Sequence, residues 1–413
     1  MERRVVITGM GTVNPLANNV KDFWTRVKNV ENGITRITRF DASEHSSQVG
    51  GEVKDLHPGD YFDNKEARRM DKFSVYAVVS ALQAVEDAGL GEGAVDPERM
   101  GVILGNGIGG IETLGNNFKK LFERGPKAVH PLLAPMMIAN IASANVAIKL
   151  NAQGPCLTNV TACASGTDSI GMAMHWIRRG AMDVMAAGGS EACMTSLGLS
   201  SFTVLQAVST NFNDRPEMAS RPFDVDRDGF VVSEGAGVII LEELEHAKKR
   251  GAPIYAELVG YGAACDANHL TAPHPEGRGA IQAMRMALAD AGLGVEDIDY
   301  INAHGTSTPL NDPTETKAIK KLFGEHANKL KISSTKSMVG HLLGAAGGVE
   351  AIVTALSLKE QYYPATRNLD NQDPECDLNC LANKGVAAPM RTAISNSFGF
   401  GGHDAVLAFK RYE

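Results

Sequence analysis

Apolar runs and amphipathic stretches alternate along the chain, and the same succession occurs twice. VVITGMG at 5–11 has the pattern of a strand ending in Gly-x-Gly, and ELVGYGA at 257–263 repeats it. A segment with apolar residues at helical spacing follows in each case, SVYAVVSALQAVEDAGL at 74–90 and AIQAMRMALADAGL at 280–293. Both finish Asp-Ala-Gly-Leu, where the glycine suits a left-handed helix stop. After an acidic turn come two runs typical of buried strands, GVILGNG at 101–107 and YINAHGT at 300–306. VMAAGGSEA at 184–192 then matches AISNSFGFGG at 393–402, and GVIILEEL at 237–244 matches AVLAFKRY at 405–412. Strands separated by long helices imply crossovers and parallel pairing, with an antiparallel piece closing each half. The pattern predicts an α/β chain of two similar halves, residues 1–250 and 251–413. The stretch Lys-Lys-Arg-Gly-Ala-Pro at 248–253 is read as the linker, and equivalent strand ends point into one shared cleft.

Composition sharpens this reading at one point. Of the 413 residues, 43 are glycine, above the usual ~7%, and many fall in clusters at 9–11, 105–110, 188–189, 344–348 and 399–402. Clustered glycine indicates backbone that must come close to something else. Charge acts by exclusion: 40 Lys and Arg against 48 Asp and Glu give a net charge of -8, which argues against nucleic acid or an anionic membrane as partner. The charged start MERR runs straight into a strand, no stretch reaches the ~18 apolar residues of a membrane span, and the six cysteines lack CxxC spacing. A cytoplasmic protein with free thiols is expected. The eleven histidines show no HExxH, so no metal is expected either.

Cys163 is the candidate nucleophile. It lies in VTACASGTDSIGMAMHWI, where a β-prone run turns into a helix, and the positive end of that helix should give the thiol thiolate character. The alternative is a buried structural cysteine, which is the reading for Cys156, Cys193 and Cys265. His304, in NAHGTSTPLND, directly follows a second-half strand. His341, in SSTKSMVGHLLGAAGGVEA, stands at the start of a small-residue helix that duplicates the one after Cys163, and Lys336 precedes it by five residues. SFGFGG at 397–402 offers backbone N–H groups for an oxyanion and two mobile aromatics, Phe398 and Phe400; it could equally be a glycine turn with two core Phe. Two motifs are decoys. Gly105, Gly107 and Gly110 fit GxGxxG, but IETLGNNFKK makes a poor helix start, and GGSEA lacks the final glycine of a nucleophile elbow.

TACASG around Cys163, NAHGTSTPLND around His304, KSMVGHLLGAAGG around Lys336 and His341, and NSFGFGG at 396–402 resemble the β-ketoacyl-acyl carrier protein synthases, of the elongating kind and the type II members most. The resemblance runs from the first strand to the last. It implies a five-layered αβαβα thiolase-like fold of two duplicated halves, a homodimer, and a decarboxylating condensation that uses no metal or organic cofactor, because acyl and malonyl groups arrive on the phosphopantetheine arm of acyl carrier protein. It also implies roles. Cys163 would carry the acyl thioester. His304 and His341 would stabilise the enolate, Lys336 paired with Glu350 would fix them, and the N–H groups of Cys163 and Phe400 would form the oxyanion hole. Thr306 and Thr308 would contact the arm, Ile108 would line the acyl pocket, and Phe400 with Phe398 would gate it. The carrier is acidic, so Lys65, Arg68, Arg69 and Lys72, with Arg124 and Lys127, are read as its dock.

The cysteine excludes the chain-length-factor relatives, and the histidine in GHLLGAAGG excludes the initiating synthases, which have Asn. The departure is His403-Asp404, where many relatives have Thr or His followed by Asn; it bears on the Phe400 loop. A freestanding polyketide ketosynthase shares all four motifs. A thiolase is disfavoured for want of a second C-terminal cysteine, and a non-enzymatic carrier-binding module is the third reading.

Overall fold

The computed structural model describes residues 3–91 and 93–413. Among these, ten strands form one sheet: β1 (Val5–Val13), β2 (Met100–Gly105), β3 (Cys156–Asn159), β4 (Val184–Glu191), β5 (Gly235–Glu243), β6 (Ala256–Cys265), β7 (Tyr300–Asn302), β8 (Lys331–Ser333), β9 (Thr392–Gly399) and β10 (His403–Lys410). Their order across the sheet is β8-β7-β9-β10-β6-β1-β5-β4-β2-β3. The two ends of that list have the same internal order, with the third strand of each half outermost and the first at the junction. There β1 and β6 pair antiparallel, Val5 opposite Leu258 and Ile7 opposite Ala256. In each half the second, third and fourth strands are parallel and the fifth is antiparallel, so the duplication and its closing antiparallel strand are as the pattern predicts.

The main helices are α1 (Lys72–Asp87), α2 (Ile111–Arg124), α3 (Ile141–Leu150), α4 (Ser165–Arg178), α5 (Arg278–Ala291), α6 (Asn311–Phe323) and α7 (Ala346–Glu360). The matching Asp-Ala-Gly-Leu stops act as expected: Gly89 and Gly292 sit at φ 62° and 64° just past α1 and α5. Five layers share three cores, the middle one spanning both faces of the central helix layer. α1 and α3 cover the outer face of the first half, α5 and α6 that of the second, and α4 with α7 fill the space between the two. A helix with a sheet on either side has no polar face to show, and every residue of α7 from Ala346 to Leu358 is buried.

Two details differ from the sequence reading. IETLGNNFKK does start a helix, α2, whose first turn is capped from outside the segment, the Asp71 carboxylate accepting the Thr113 N–H at 3.0 Å. Residues 248–250 end a short helix, Leu244–Arg250, which stops at Gly251 with φ 69°, so the linker is only the residues after it.

The central layer explains much of the glycine. A Cβ on Gly348 of α7 would lie 2.2 Å from the Gly237 carbonyl of β5, and one on Gly237 would lie 2.4 Å from the Val349 nitrogen. Helix and strand thus touch backbone to backbone. Gly348→Ala should cost about 1–3 kcal/mol in urea unfolding through overpacking, although alanine alone favours a helix by about 1 kcal/mol; an unchanged or raised midpoint would contradict that contact.

Candidate active site

Cys163 stands in the 3-10 turn Ala162–Ala164 that leads into α4. Ala162 has φ 50°, a left-handed conformation that costs an alanine on the order of 1–2 kcal/mol. Ser165 holds it there, its Oγ accepting from the Thr161 N–H at 2.9 Å and donating to the Ala162 carbonyl at 2.7 Å. The second half repeats the turn at Leu343–Ala345, with Leu343 at φ 49°, leading into α7. Gly344 is therefore the counterpart of Cys163. His341 lies ahead of this turn, bridged to Val232 and five residues before α7, which corrects its placement at the helix start.

Cys163 packs against the buried cluster that contains Phe230, Val232 and Leu343, and burial pushes its thiol up to about 12. The charge of Lys336 and the Phe400 N–H, which faces the sulfur, act in the opposite direction and are outweighed. The thiolate expected from the helix terminus is thus not the resting form, because desolvation exceeds the dipole. Of the three cysteines read as structural, Cys156 and Cys265 are exposed and Cys193 alone is buried, so that reading of the first two is also corrected.

The Phe400 segment arrives on β9. A Cβ on Gly399 would stand 2.9 Å from the Thr161 carbonyl and 3.0 Å from the Cys163 nitrogen, so a glycine there lets the gate strand lie directly on the cysteine turn. Phe398 and Phe400 are both half-buried, unlike core plugs, and Phe398 tilts over His304 with centroids 5.6 Å apart.

His304 and His341 are 3% and 2% exposed and meet edge to face at 5.3 Å between centroids. Burial, and then the Lys336 charge, holds both imidazoles well below the usual histidine range, so both are neutral. Nδ1 of His304 and both ring nitrogens of His341 have no hydrogen-bond partner among the described residues. Lys336 is itself buried. Its ammonium donates to the His304 carbonyl at 2.7 Å and to the Glu350 carboxylate.

Two buried carboxylates complete the site and were not singled out from sequence. Glu315 of α6 accepts from the backbone N–H of His304 at 2.9 Å and of Gly305 at 2.8 Å, and from Asn396 Nδ2 at 3.0 Å. The signal for it is faint: Asp312 and Glu315 are acids three apart on the helix face that turns inward. Glu191, inside the decoy GGSEA, accepts from Gly107, Ile108 and Gly344 at 2.8, 3.3 and 3.2 Å, tying the Ile108 turn to the second-half turn. Burial pushes its carboxyl up to about 7.

Of the remaining candidates, Thr306 is buried, Thr308 is half-buried, and their hydroxyls are 3.0 Å apart. Ile108 is 38% exposed in the turn after β2. Lys65, Arg68 and Arg69 are exposed together around the helical turn Asn64–Ala67, where Lys149 neutralises Glu66. Lys72 is drawn instead into an ion pair with Glu112 at 2.9 Å. Arg124 and Lys127 are exposed at the far end of α2, roughly 20 Å from Glu112 along the helix, so one chain presents two cationic spots and not one.

Residues 2–247 match the family model "Beta-ketoacyl synthase, N-terminal domain" and 255–370 match "Beta-ketoacyl synthase, C-terminal domain". The chain is 50% identical over 412 residues to 3-oxoacyl-[acyl-carrier-protein] synthase 2 of Synechocystis sp., covering 100% of this chain and 99% of that one. Its fold matches a beta-ketoacyl synthase of Burkholderia phymatum at TM-score 0.92 and 36% identity, with both chains wholly covered. It also matches, at 0.93 and 34% with both chains wholly covered, a chain from the structure of a type II PKS acyl-carrier protein in complex with its ketosynthase bound to the hexaketide.

Two outcomes are expected. Alkylation of Cys163 by iodoacetamide should quicken about tenfold per pH unit from 6 to 9 without levelling, whereas a plateau near neutrality would show a resting thiolate. Lys336→Met should cost about 3–5 kcal/mol in chemical denaturation by stranding the Glu350 carboxylate in the core, and Lys336→Met with Glu350→Gln should recover part of it.

Proposed function

The chain belongs to the beta-ketoacyl synthase family, and from that premise we propose that it condenses malonyl-ACP with an acyl chain held on Cys163, giving 3-oxoacyl-ACP in fatty acid elongation. One observation carries the assignment of roles. Two neutral, buried imidazoles in edge-to-face contact carry ring nitrogens without partners, and Phe398, which tilts over one of them, stands two residues before the backbone N–H that faces the Cys163 sulfur.

In the first step the Cys163 sulfur attacks the thioester of acyl-ACP. The carbonyl oxygen takes negative charge between the N–H groups of Cys163 and Phe400, and collapse expels the carrier's thiol together with the proton that Cys163 gives up. A raised thiol suits this exchange, since the proton stays on sulfur until the carrier's own sulfur needs it. Malonyl-ACP then enters past Thr306 and Thr308. His304 and His341 donate N–H to its thioester carbonyl, and the C–C bond to the carboxylate breaks, releasing carbon dioxide and leaving an enolate. An imidazolium would serve worse, because it would pair with the malonyl carboxylate and hold it. The enolate carbon attacks the acyl carbonyl on Cys163, and the C–S bond breaks. Cys163 leaves as thiolate and takes up one proton from solvent, so each cycle consumes a proton, releases carbon dioxide and restores the thiol. No metal or organic cofactor enters.

Residues 1–250 supply the nucleophile in this reading and 251–413 the imidazoles and the gate. Lys65, Arg68 and Arg69 dock the acidic carrier, with Arg124 and Lys127 as a separate contact. The active form is a homodimer: β3 is an edge strand with Leu157 exposed along it and Val160 just beyond, an apolar edge that a second copy would cover. The 50% identity to a 3-oxoacyl-[acyl-carrier-protein] synthase 2, against 34% to a chain of the type II PKS complex, favours saturated acyl primers.

Cys163→Ala should abolish condensation of saturated acyl-ACP with malonyl-ACP, and full activity would remove the nucleophile assignment. His304→Ala and His341→Ala should each slow malonyl-ACP decarboxylation about 100-fold or more; normal rates in both would overturn their role. Arg68→Glu with Arg69→Glu should raise KM for acyl-ACP at least tenfold with little change in kcat, and an unchanged KM would place the dock elsewhere.

A further inference from the structure

The gate turn between β9 and β10 rests on an acid that nothing in the mechanism uses. Asp404, the second residue of β10, pairs with Phe398 on one side and with Ala264 on the other. It is 5% exposed, and its Oδ2 has no partner among the described residues. Asp266, just past the end of β6, faces it. A Cβ on Gly279 would lie 2.0 Å from Asp404 Oδ2 and 2.7 Å from Asp266 Oδ1, so both carboxylates crowd one point. Both Asp266 oxygens already accept backbone N–H groups, from His274 at 2.8 Å and Gly279 at 3.0 Å. Asp266 is also fastened to the turn itself, its N–H donating to the Gly402 carbonyl at 2.9 Å, while the Gly401 N–H donates to the Leu270 carbonyl at 2.7 Å.

The other charged group acting on Asp404 is Glu315 of α6, also an acid, which holds the His304 N–H. α5 presents Gly279 and β9 presents Phe398, neither charged, and the neighbouring His403 acts on Asp168 of α4. With only acids around it, a charge on Asp404 has nothing to pair with.

We propose that Asp404 is a positioning residue for the gate: while it carries its proton, the turn Phe398–Gly402 stays seated on the cysteine turn, and when it ionises beside Asp266 the turn lifts and the Phe400 N–H leaves the Cys163 site. Burial, then Asp266 and Glu315, push its carboxyl up to about 8. The seated form therefore prevails below that pH and is lost above it. The inference rests on the ketosynthase reading for what the turn gates, but not for the titration.

Two measurements on the full-length protein test it. Hydrogen exchange of the amides of 398–403, corrected for the intrinsic effect of pH, should lose at least fivefold protection between pH 7 and pH 9 in the wild type and not in Asp404→Asn, which keeps the shape without the titration. Over the same range the ratio of wild-type to Asp404→Asn kcat/KM for acylation by acyl-ACP should fall about fivefold, with a one-proton inflection. Unchanged wild-type protection, or an equal loss in both proteins, overturns the proposal. Should Asp404→Asn not fold, the wild-type exchange profile decides alone. Because exchange is read without turnover, its failure would count against Asp404 and leave the condensation reading to its own assay.

Discussion

One buried ammonium organises the site. Lys336 reaches the carbonyl of His304 and the carboxylate of Glu350 from a position with almost no access to solvent. Such a charge persists in a protein core only with a partner, and Glu350 is available because α7, buried all round, carries it into the middle layer. The pair fixes the His304 backbone. Its positive end also bears on three other groups: it helps keep both imidazoles neutral and works against burial at Cys163. One ion pair thus links the geometry of the second half to the reactivity of a residue in the first.

The five layers make that arrangement possible. Placing α4 and α7 between two sheet halves buries the turn that leads into α7 and half-buries the one at Cys163, so the site begins from a low-dielectric setting in which charges act strongly. The same dryness has a cost, visible in the raised Cys163 thiol and in the buried acids Glu191 and Glu315, which no cation pairs: backbone N–H groups satisfy Glu191, and backbone N–H groups with the Asn396 side chain satisfy Glu315. Those acids fasten the loops that carry Ile108 and His304. The site is stiff where it holds its imidazoles and looser at the gate, where Phe398 and Phe400 stay half-exposed on a turn with two left-handed glycines.

Much of this was legible in the residues. Strand pairs, helix stops and the matched halves follow from periodicity and glycine placement, which are local properties. The convergence of Cys163, His304, His341 and Lys336 followed from the duplication once their motifs were seen. What stayed hidden depends on packing between distant segments. Glu191 and Glu315 look like surface acids until the sheet and α6 enclose them. The state of the Cys163 thiol turns on packing against the cluster of Phe230 and Leu343, from segments 67 and 180 residues away, and that burial outweighs the local helix terminus that the sequence advertises. Lys72 reads as one of a basic cluster, but Glu112, on another helix, removes it.

The central claim is that the two histidines meet the substrate as neutral hydrogen-bond donors because burial and Lys336 forbid their charging. The direct measurement is nitrogen NMR of the imidazoles in histidine-labelled protein, with His304→Ala and His341→Ala used to assign the signals, titrated from pH 8 to 5.5. The account predicts that both rings keep the shifts of a neutral tautomer throughout. A protonation midpoint near 6.5 for either ring would contradict it.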